Sequence, residues 1–271
     1  MGRVIMSGVV PLLSKPAPKA SLTPTSGVTY TEGLAGLEPA EISSYAQAIS
    51  NVTGVTNDTT TMYIDYGSVH RKISIGDQVT IGVNNVDYAF DVIGFNHDDL
   101  TDSMAYGKAT ATGKAGMTLQ MHDCLNDKAQ MNSSSTNSGG WENCAMRKSN
   151  MATYLSQLTS AWQNAIKQVN KLSSAGSQSA TIKTTADKLF LLSEVEIFSS
   201  TTYSKSGEGS RYAYYKVGNS KVKNVSGSAN SWWERSPHAS NSTSFCVVYK
   251  SGDASNLSAS GLRGVAFAFC I

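Results

Sequence analysis

WWERSPHASNSTSFCVVYKSGDASNLSASGLRGVAFAFC, residues 232–270, opens on two tryptophans and a Glu-Arg pair and closes on a small-apolar run. Between them the apolar islands FCVVY (245–249) and GVAFAFCI (264–271) alternate with Ser, Asn, Gly and Asp. Apolar runs of ~4–8 residues bounded by turn formers read as short strands, and the polar stretches between them as long loops. RYAYY (211–215) is a further island of this kind. A region of short strands held together by loops places its function in the loops.

Upstream, KLFLLSEVEIF (188–198) reads as another strand. From Trp141 the period changes: Met146, Met151, Tyr154, Leu155, Leu158, Trp162, Ile166 and Val169 recur three or four residues apart. That spacing predicts one or two amphipathic helices, with Thr159 or Ser160 capping the second. TMYIDY (61–66), KISIG (72–76), DQVTIGV (77–83) and VDYAFDVIGF (86–95) are strand-like, and Asn84-Asn85 supplies hairpin chemistry between the last two. In LEPAEISSYAQAISNV (37–52), Ile42, Tyr45, Ala46 and Ile49 share a helical face behind Pro39, predicting a short helix. Residues 1–35, rich in Pro, Ser and Thr, read as an extended N-terminal arm that packs on something else. The fold class is α+β, divided into an arm (1–35), a short helix and connecting strand (36–69) and one large domain (70–271).

Composition narrows the function classes. The 271 residues carry 22 Lys and Arg against 20 Asp and Glu, and only 15% are charged, so there is no nucleic-acid footprint. No apolar run reaches the ~20 residues of a membrane span; Val4–Leu13 is broken by Gly8 and Pro11. Arg3 before that run has the look of an export signal, but SKPAPKAS (14–21) offers no clean cleavage site. Cys124, Cys144, Cys246 and Cys270 are too few for a disulfide scaffold, and the default is free buried thiols, with a Cys246–Cys270 pair the alternative. No CxxC or zinc spacing is present, so neither a metal nor a cofactor is expected.

Five motifs occur in order: GFNHD (94–98), GGWENCAMR (139–147), KLFLLSEVEIF (188–198), SWWERSP (231–237) and GVAFAFCI. Together they resemble a bacterial and phage domain family related to the C-type-lectin and formylglycine-generating-enzyme fold, over roughly residues 70–271. One branch of it looks like the variable proteins of diversity-generating retroelements, in which adenines of Asn codons are randomised. Such codons cannot yield Lys, Glu, Gln, Met or Trp, and between His238 and Arg263 only Lys250 belongs to that set. In the frame this resemblance implies, the diversified, ligand-binding positions are His238, Val247, Tyr249, Ser251, Asp253, Ser255, Leu257, Ser258, Gly261 and Arg263. The fixed frame is Phe245, Cys246, Val248, Gly252 and Gly264 to Cys270, with Trp232, Trp233 and Arg235 as scaffold beside the site. Tyr249, Leu257 and Arg263 would supply most contact energy.

GRVIMSGVVPLL (2–13) is similar to the start of tail-structural proteins of phages infecting Gram-positive bacteria. Combined with the lectin likeness, it implies a virion tail-tip receptor-binding protein, docked to other tail or baseplate proteins by its arm. A homotrimer engaging a host cell-surface receptor, protein or glycan, would gain avidity by repetition. The chain then binds and is not an enzyme. The rivals are a cysteine-oxidising enzyme of the formylglycine-generating type, whose Cys246 or Cys270 would line a cleft as a reactive thiol, and a bacterial surface adhesin with the same domain. The Glu-Pro-Asn and Trp-Asn-Asp calcium motifs of lectins are absent from the sequence. His97, Asp98 and Asp99 read as hydrogen-bonded scaffold, and His122-Asp123-Cys124 as an accidental triplet. Among the tyrosines, one face of the run Tyr212, Tyr214 and Tyr215 is expected to be buried, which leaves Tyr249 as the better contact.

Overall fold

A computed structural model describes residues 16–271; the apolar stretch 4–13 expected to dock the arm lies outside them. The first layer is a small sheet. β1 (Lys19–Ser21) pairs with β3 (Thr61–Tyr66), which pairs with β4 (Val69–Ser74), and β2 (Thr31–Glu32) runs parallel to β4 on the far side. Within the predicted arm, Lys19–Ser21 and Thr31–Glu32 thus supply the two edges of this sheet. Helix α1 (Pro39–Ile49) follows β2, with Pro39 in its first turn and the Glu38 N–H donating to the Glu41 carboxylate at 3.3 Å. Ile42, Tyr45, Ala46 and Ile49 form its buried face, as their spacing requires.

β5 (Gln78–Val83) and β6 (Val86–Phe95) form a hairpin whose two turn residues, Asn84 and Asn85, take φ of 51° and 62°. Such left-handed pairs match the twist of the flanking strands, and Asn tolerates the conformation. β6 pairs with β7 (Met117–Met121) across a bulge between Val92 and Gly94. The chain entering β7 passes so near α1 that a Cβ on Gly116 would lie 1.8 Å from the Ala46 carbonyl oxygen.

Trp141 to Val169 was expected to hold one or two helices and instead holds short pieces. They are α2 (Gly140–Asn143), a π-helical turn (Met146–Asn150), α3 (Met151–Ser156) and α4 (Ser160–Ala165). Thr159 is the N-cap of α4, accepting from the Trp162 N–H at 3.5 Å. β8 (Val169–Ser174) and β9 (Ile182–Asp187) then form a hairpin, and β10 (Leu189–Phe190) follows. The strand expected through residue 198 stops there: Ser193 accepts from the Glu196 N–H at 3.2 Å while the Glu196 carboxylate accepts from the Ser193 N–H at 3.0 Å. This capping box turns Glu194–Phe198 into helix α5. RYAYY is likewise helical, as α6 (Ala213–Lys216).

The last third forms β11 (Lys223–Val225) and β12 (Ser228–Asn230), then β13 (Trp232–Pro237), β14 (Ser244–Val248), β15 (Ala254–Ser258) and β16 (Ala268–Cys270). β13, β14 and β15 make a three-stranded antiparallel sheet with β14 in the middle. β16 leaves it and inserts between β10 and β7, so the main sheet runs β10, β16, β7, β6, β5. Phe269 and Phe267 from this final segment meet Phe90, Trp162 and Tyr154 in one aromatic core. The architecture is mixed α+β and mostly sheet, with short helices. Among the described residues no helix is long and apolar enough to cross a membrane.

Candidate functional site

The site is built on the β13–β14–β15 sheet. Register places Trp233 opposite Val247, Val247 opposite Ser255, and Phe245 opposite Leu257, so these five side chains belong to one face. Trp233 is sealed and donates its indole N–H to the Ala129 carbonyl at 2.8 Å. Past Val248 the chain turns: Tyr249 N–H donates to the Asp253 carbonyl and Gly252 N–H to the Tyr249 carbonyl, both at 2.7 Å. Gly252 takes φ of 92°, a conformation that a side chain at this position would strain. After β15 the segment 259–264 returns alongside residues 129–132, with Arg263 and Ala129 exchanging two backbone hydrogen bonds of 3.0 Å.

A cleft of about 340 Å³ opens where these pieces meet, lined by Tyr249, Lys250, Leu257, Leu262, Arg263, Lys128 and the end of β12 with Ser231, residues 229–231. Tyr249 is 39% and Leu262 55% exposed, while Leu257 is half-buried against the core. The three residues expected to carry contact energy, Tyr249, Leu257 and Arg263, therefore line one cleft. The remaining expected positions are spread more widely. Ser251 and Asp253 are exposed in the turn, where the Ser251 hydroxyl donates to Asp253 at 2.7 Å. Ser255 and Gly261 are half-buried; Ser258 is too, on the opposite face, where its hydroxyl meets Ser135 at 2.7 Å. His238 is at the far end of β13 against the Tyr203 ring, outside the cleft. Val247 is fully buried, so its side chain is part of the packed face and does not reach a ligand.

The frame residues are packed. Phe245, Cys246 and Val248 have no exposed surface, nor do Val265 to Cys270, and Trp232 is sealed with its indole N–H on the Lys221 carbonyl at 2.9 Å. Arg235 is wholly buried, and its five N–H donors have five acceptors: the Leu172, Leu191 and Glu208 carbonyls and both oxygens of Glu196. Such a bidentate pair fixes orientation as well as charge.

That pair is one end of a buried ionic chain that the sequence reading did not assemble. Lys171 donates to Glu196 at 2.7 Å, to Asp98 at 2.6 Å and to the Tyr212 hydroxyl at 3.1 Å. Burial works to raise the Asp98 carboxyl, but Lys171 and His97 outweigh it and hold the group well below its usual range. Glu196 behaves alike, lowered by Arg235 and Lys171 against its burial. Beside the chain lie less compensated acids. Burial pushes Glu208 up to about 7, although the Ser236 hydroxyl and the Ser174 N–H both donate to it. Glu234 has no hydrogen-bond partner for either oxygen, and burial together with Glu194 and Glu208 pushes it well above the carboxylate range. The one sequence signal for any of this was the Ser193-x-x-Glu196 spacing.

GFNHD and the His122 triplet resolve into structure. Asp98 accepts from Lys171, Tyr212 and the Thr118 hydroxyl, and His97 stacks on Tyr212 at 3.8 Å. His122 pairs with buried Asp91 at 2.9 Å and not with its neighbour Asp123, and Cys124 is buried with its thiol pushed up to about 12. All four cysteines are free and buried, and burial pushes Cys246 and Cys270 well above the ordinary thiol range. Among the described residues no group of three or more His, Cys, Asp or Glu is placed to hold a metal ion.

Compared with known families, residues 115–271 match a family described as Domain of unknown function (DUF6273). No curated protein and no solved structure matches the chain. The matched span contains the three-stranded sheet and the cleft; it leaves out β5 and β6, which complete the main sheet, and Asp98, which closes the ionic chain.

Proposed function

The chain belongs to the DUF6273 family, and from that premise we propose that it is a receptor-binding adhesin of a phage tail tip. In this reading the 70–271 unit is a C-type-lectin-like domain, and the cleft on the β13–β14–β15 sheet meets a host cell-surface ligand. Residues 238–263 are its diversified segment, the N-terminal arm attaches the protein to the tail, and three copies act together.

One observation carries the proposal. Tyr249, Leu257 and Arg263, separated along the chain, line a single open cleft, while the frame residues around them are sealed in the core. A variable binder needs that division, because side chains at the opening can then change without altering the packing that holds them. Tyr and Arg are also the residue types that most often dominate binding energy. The buried, protonated state of Cys246 and Cys270 argues against the cysteine-oxidising alternative, since a nucleophilic thiol needs access and a lowered pKa.

The test is adsorption. Labelled full-length protein is incubated with a panel of bacterial cells, alongside a variant with Tyr249, Leu257 and Arg263 all replaced by Ala. Binding to at least one strain and its loss in the variant are expected. Equal adsorption by both proteins would show that the cleft is not the binding face. Sequencing the gene from several progeny tests diversification separately: substitutions spread evenly along the chain would remove that part of the reading.

A further inference from the structure

The cleft is electrostatically one-sided. Lys128, Lys250 and Arg263 line it, and no acidic side chain does. None of the three forms an ion pair with another described residue. The two acids close in sequence do not line the opening: Asp253 accepts from the Ser251 hydroxyl in the turn, and Asp127 borders a different hollow near Tyr154. Two lysines outside the cleft do meet an acid at short range, Lys72 with Glu32 and Lys114 with Asp99, at 2.8 and 2.7 Å. A set of three uncompensated cations around a concavity in a chain of net charge +2 is thus a local concentration of charge.

The three cations are also held by separate, mutually bonded pieces of backbone. Lys128 precedes Ala129, which exchanges two hydrogen bonds with Arg263, and the Lys250 N–H donates to the Ser231 hydroxyl at 3.2 Å. The Arg263 guanidinium donates to the Leu262 carbonyl at 2.6 Å, which leaves further N–H donors free for a ligand. The Lys250 ammonium lies over the Tyr249 ring, 6.0 Å from its centroid, and Asn230 lines the same cleft. An aromatic face for the C–H surface of a sugar ring, an amide for its hydroxyls and cations for its acidic groups are the complement of one ligand class.

We infer that this cleft binds an acidic saccharide chain, whose carboxylate or phosphate groups pair with Lys128, Lys250 and Arg263 while a ring packs on Tyr249. The inference rests on the adhesin reading for its biological setting and names the chemistry of that ligand. Charge-assisted hydrogen bonds to a carboxylate or phosphate supply the affinity, and Arg263, with its planar fork, is best matched to either anion. Added salt weakens such a contact.

Titration calorimetry of the full chain tests it with four probes: polygalacturonate, phosphorylated dextran, neutral dextran and polyglutamate. Polygalacturonate or phosphorylated dextran is expected to bind, which distinguishes carboxylate from phosphate, and neutral dextran to bind at least about tenfold more weakly. Lys128→Ala, Lys250→Ala and Arg263→Ala each lower the affinity, together by more than about tenfold, while Arg263→Lys keeps part of it. Lys183→Ala, which removes the same charge from an exposed position of β9, leaves it unchanged. Melting curves confirm that each variant is folded.

Neutral dextran bound as tightly as the acidic chains, or Ala variants of unchanged affinity, would overturn the inference. So would failure of both acidic saccharides, or binding of polyglutamate alone, which would make the occupant an acidic peptide. Adsorption to cells keeps the two ideas apart. Cleft-dependent adsorption without saccharide binding retains the adhesin and removes this ligand, whereas saccharide binding without adsorption does the reverse.

Discussion

The Lys171 ammonium donates to the Asp98 carboxylate at 2.6 Å, and both side chains are sealed from solvent. Between them the two residues join the loop after β6 to β8, and through Glu196 and Arg235 they reach β13, one strand of the three-stranded sheet. Lys171→Met leaves Asp98 with only His97 as a basic neighbour and Glu196 with only Arg235. Because an uncompensated buried charge is the costly outcome, a loss of about 3–5 kcal/mol is expected in urea unfolding. A loss under about 1 kcal/mol would mean that water or relaxation replaces the pair.

Stability should fall between mildly acidic and neutral pH. Glu208 has a folded pKa of about 7 against an ordinary 4.5, so the native state holds this proton more tightly than the unfolded chain does. Its contribution is fully present below pH 4.5 and is lost as pH rises towards 7, by about 3 kcal/mol in the limit. Glu234, also raised, acts in the same direction. Asp98 and Glu196, both lowered, act oppositely and weaken the fold only in acid below the ordinary carboxylate range. Glu208→Gln imitates the protonated acid, so its unfolding midpoint should change less between pH 5 and 8. Parallel profiles for the two proteins would assign the slope elsewhere.

Val247 and Tyr249 occupy the same face of one strand and its turn, yet only Tyr249 opens to solvent. Tyr249→Asn should stay within about 0.5 kcal/mol of the parent, the usual range for surface changes. Val247→Asn buries an amide without a partner and should cost about 2–4 kcal/mol. Thermal unfolding separates them, and a tolerated Val247→Asn would return that position to the expected ligand-binding positions.

Gly116→Ala should loosen the seat of α1, because the new Cβ would fall 1.8 Å from the Ala46 carbonyl oxygen. The backbone must move, at a cost of about 2–4 kcal/mol. An unchanged melting temperature would mean that α1 shifts freely on the sheet.

Under native conditions the four thiols should resist iodoacetamide, and all should react in urea, because burial keeps each protonated and covered. Rapid native labelling of Cys246 or Cys270 would restore the oxidising-enzyme reading.

Local chemistry was legible in the sequence where one segment decides its own fate. Asn84-Asn85 announced a hairpin, Pro39 with its four-residue spacing announced α1, and Thr159 announced the start of α4. Errors arose where two local signals competed: Leu189 to Phe198 is apolar enough for a strand, but Ser193 and Glu196 cap a helix inside it. The ionic chain stayed out of view because Asp98 and Lys171 are 73 residues apart, and nothing near Lys171 marks it as buried. Tyr249, Leu257 and Arg263 could be nominated one by one. Their convergence depends on the turn at Gly252 and on pairing of residues 259–264 with 129–132, which no periodicity encodes.

The position of β16 ties completion of the main sheet to the very end of the chain. Residues 238–263 are followed directly by a strand that must slide between β10 and β7 in the middle of the main sheet. Ribosomes deliver β6 and β7 long before that filler, so the sheet stays open until residues 238–263 have been read through in frame. A frameshift or stop anywhere in the segment removes the filler and exposes two bare strand edges, an aggregation hazard. Closure of the main sheet thus depends on the chain being translated intact through β16.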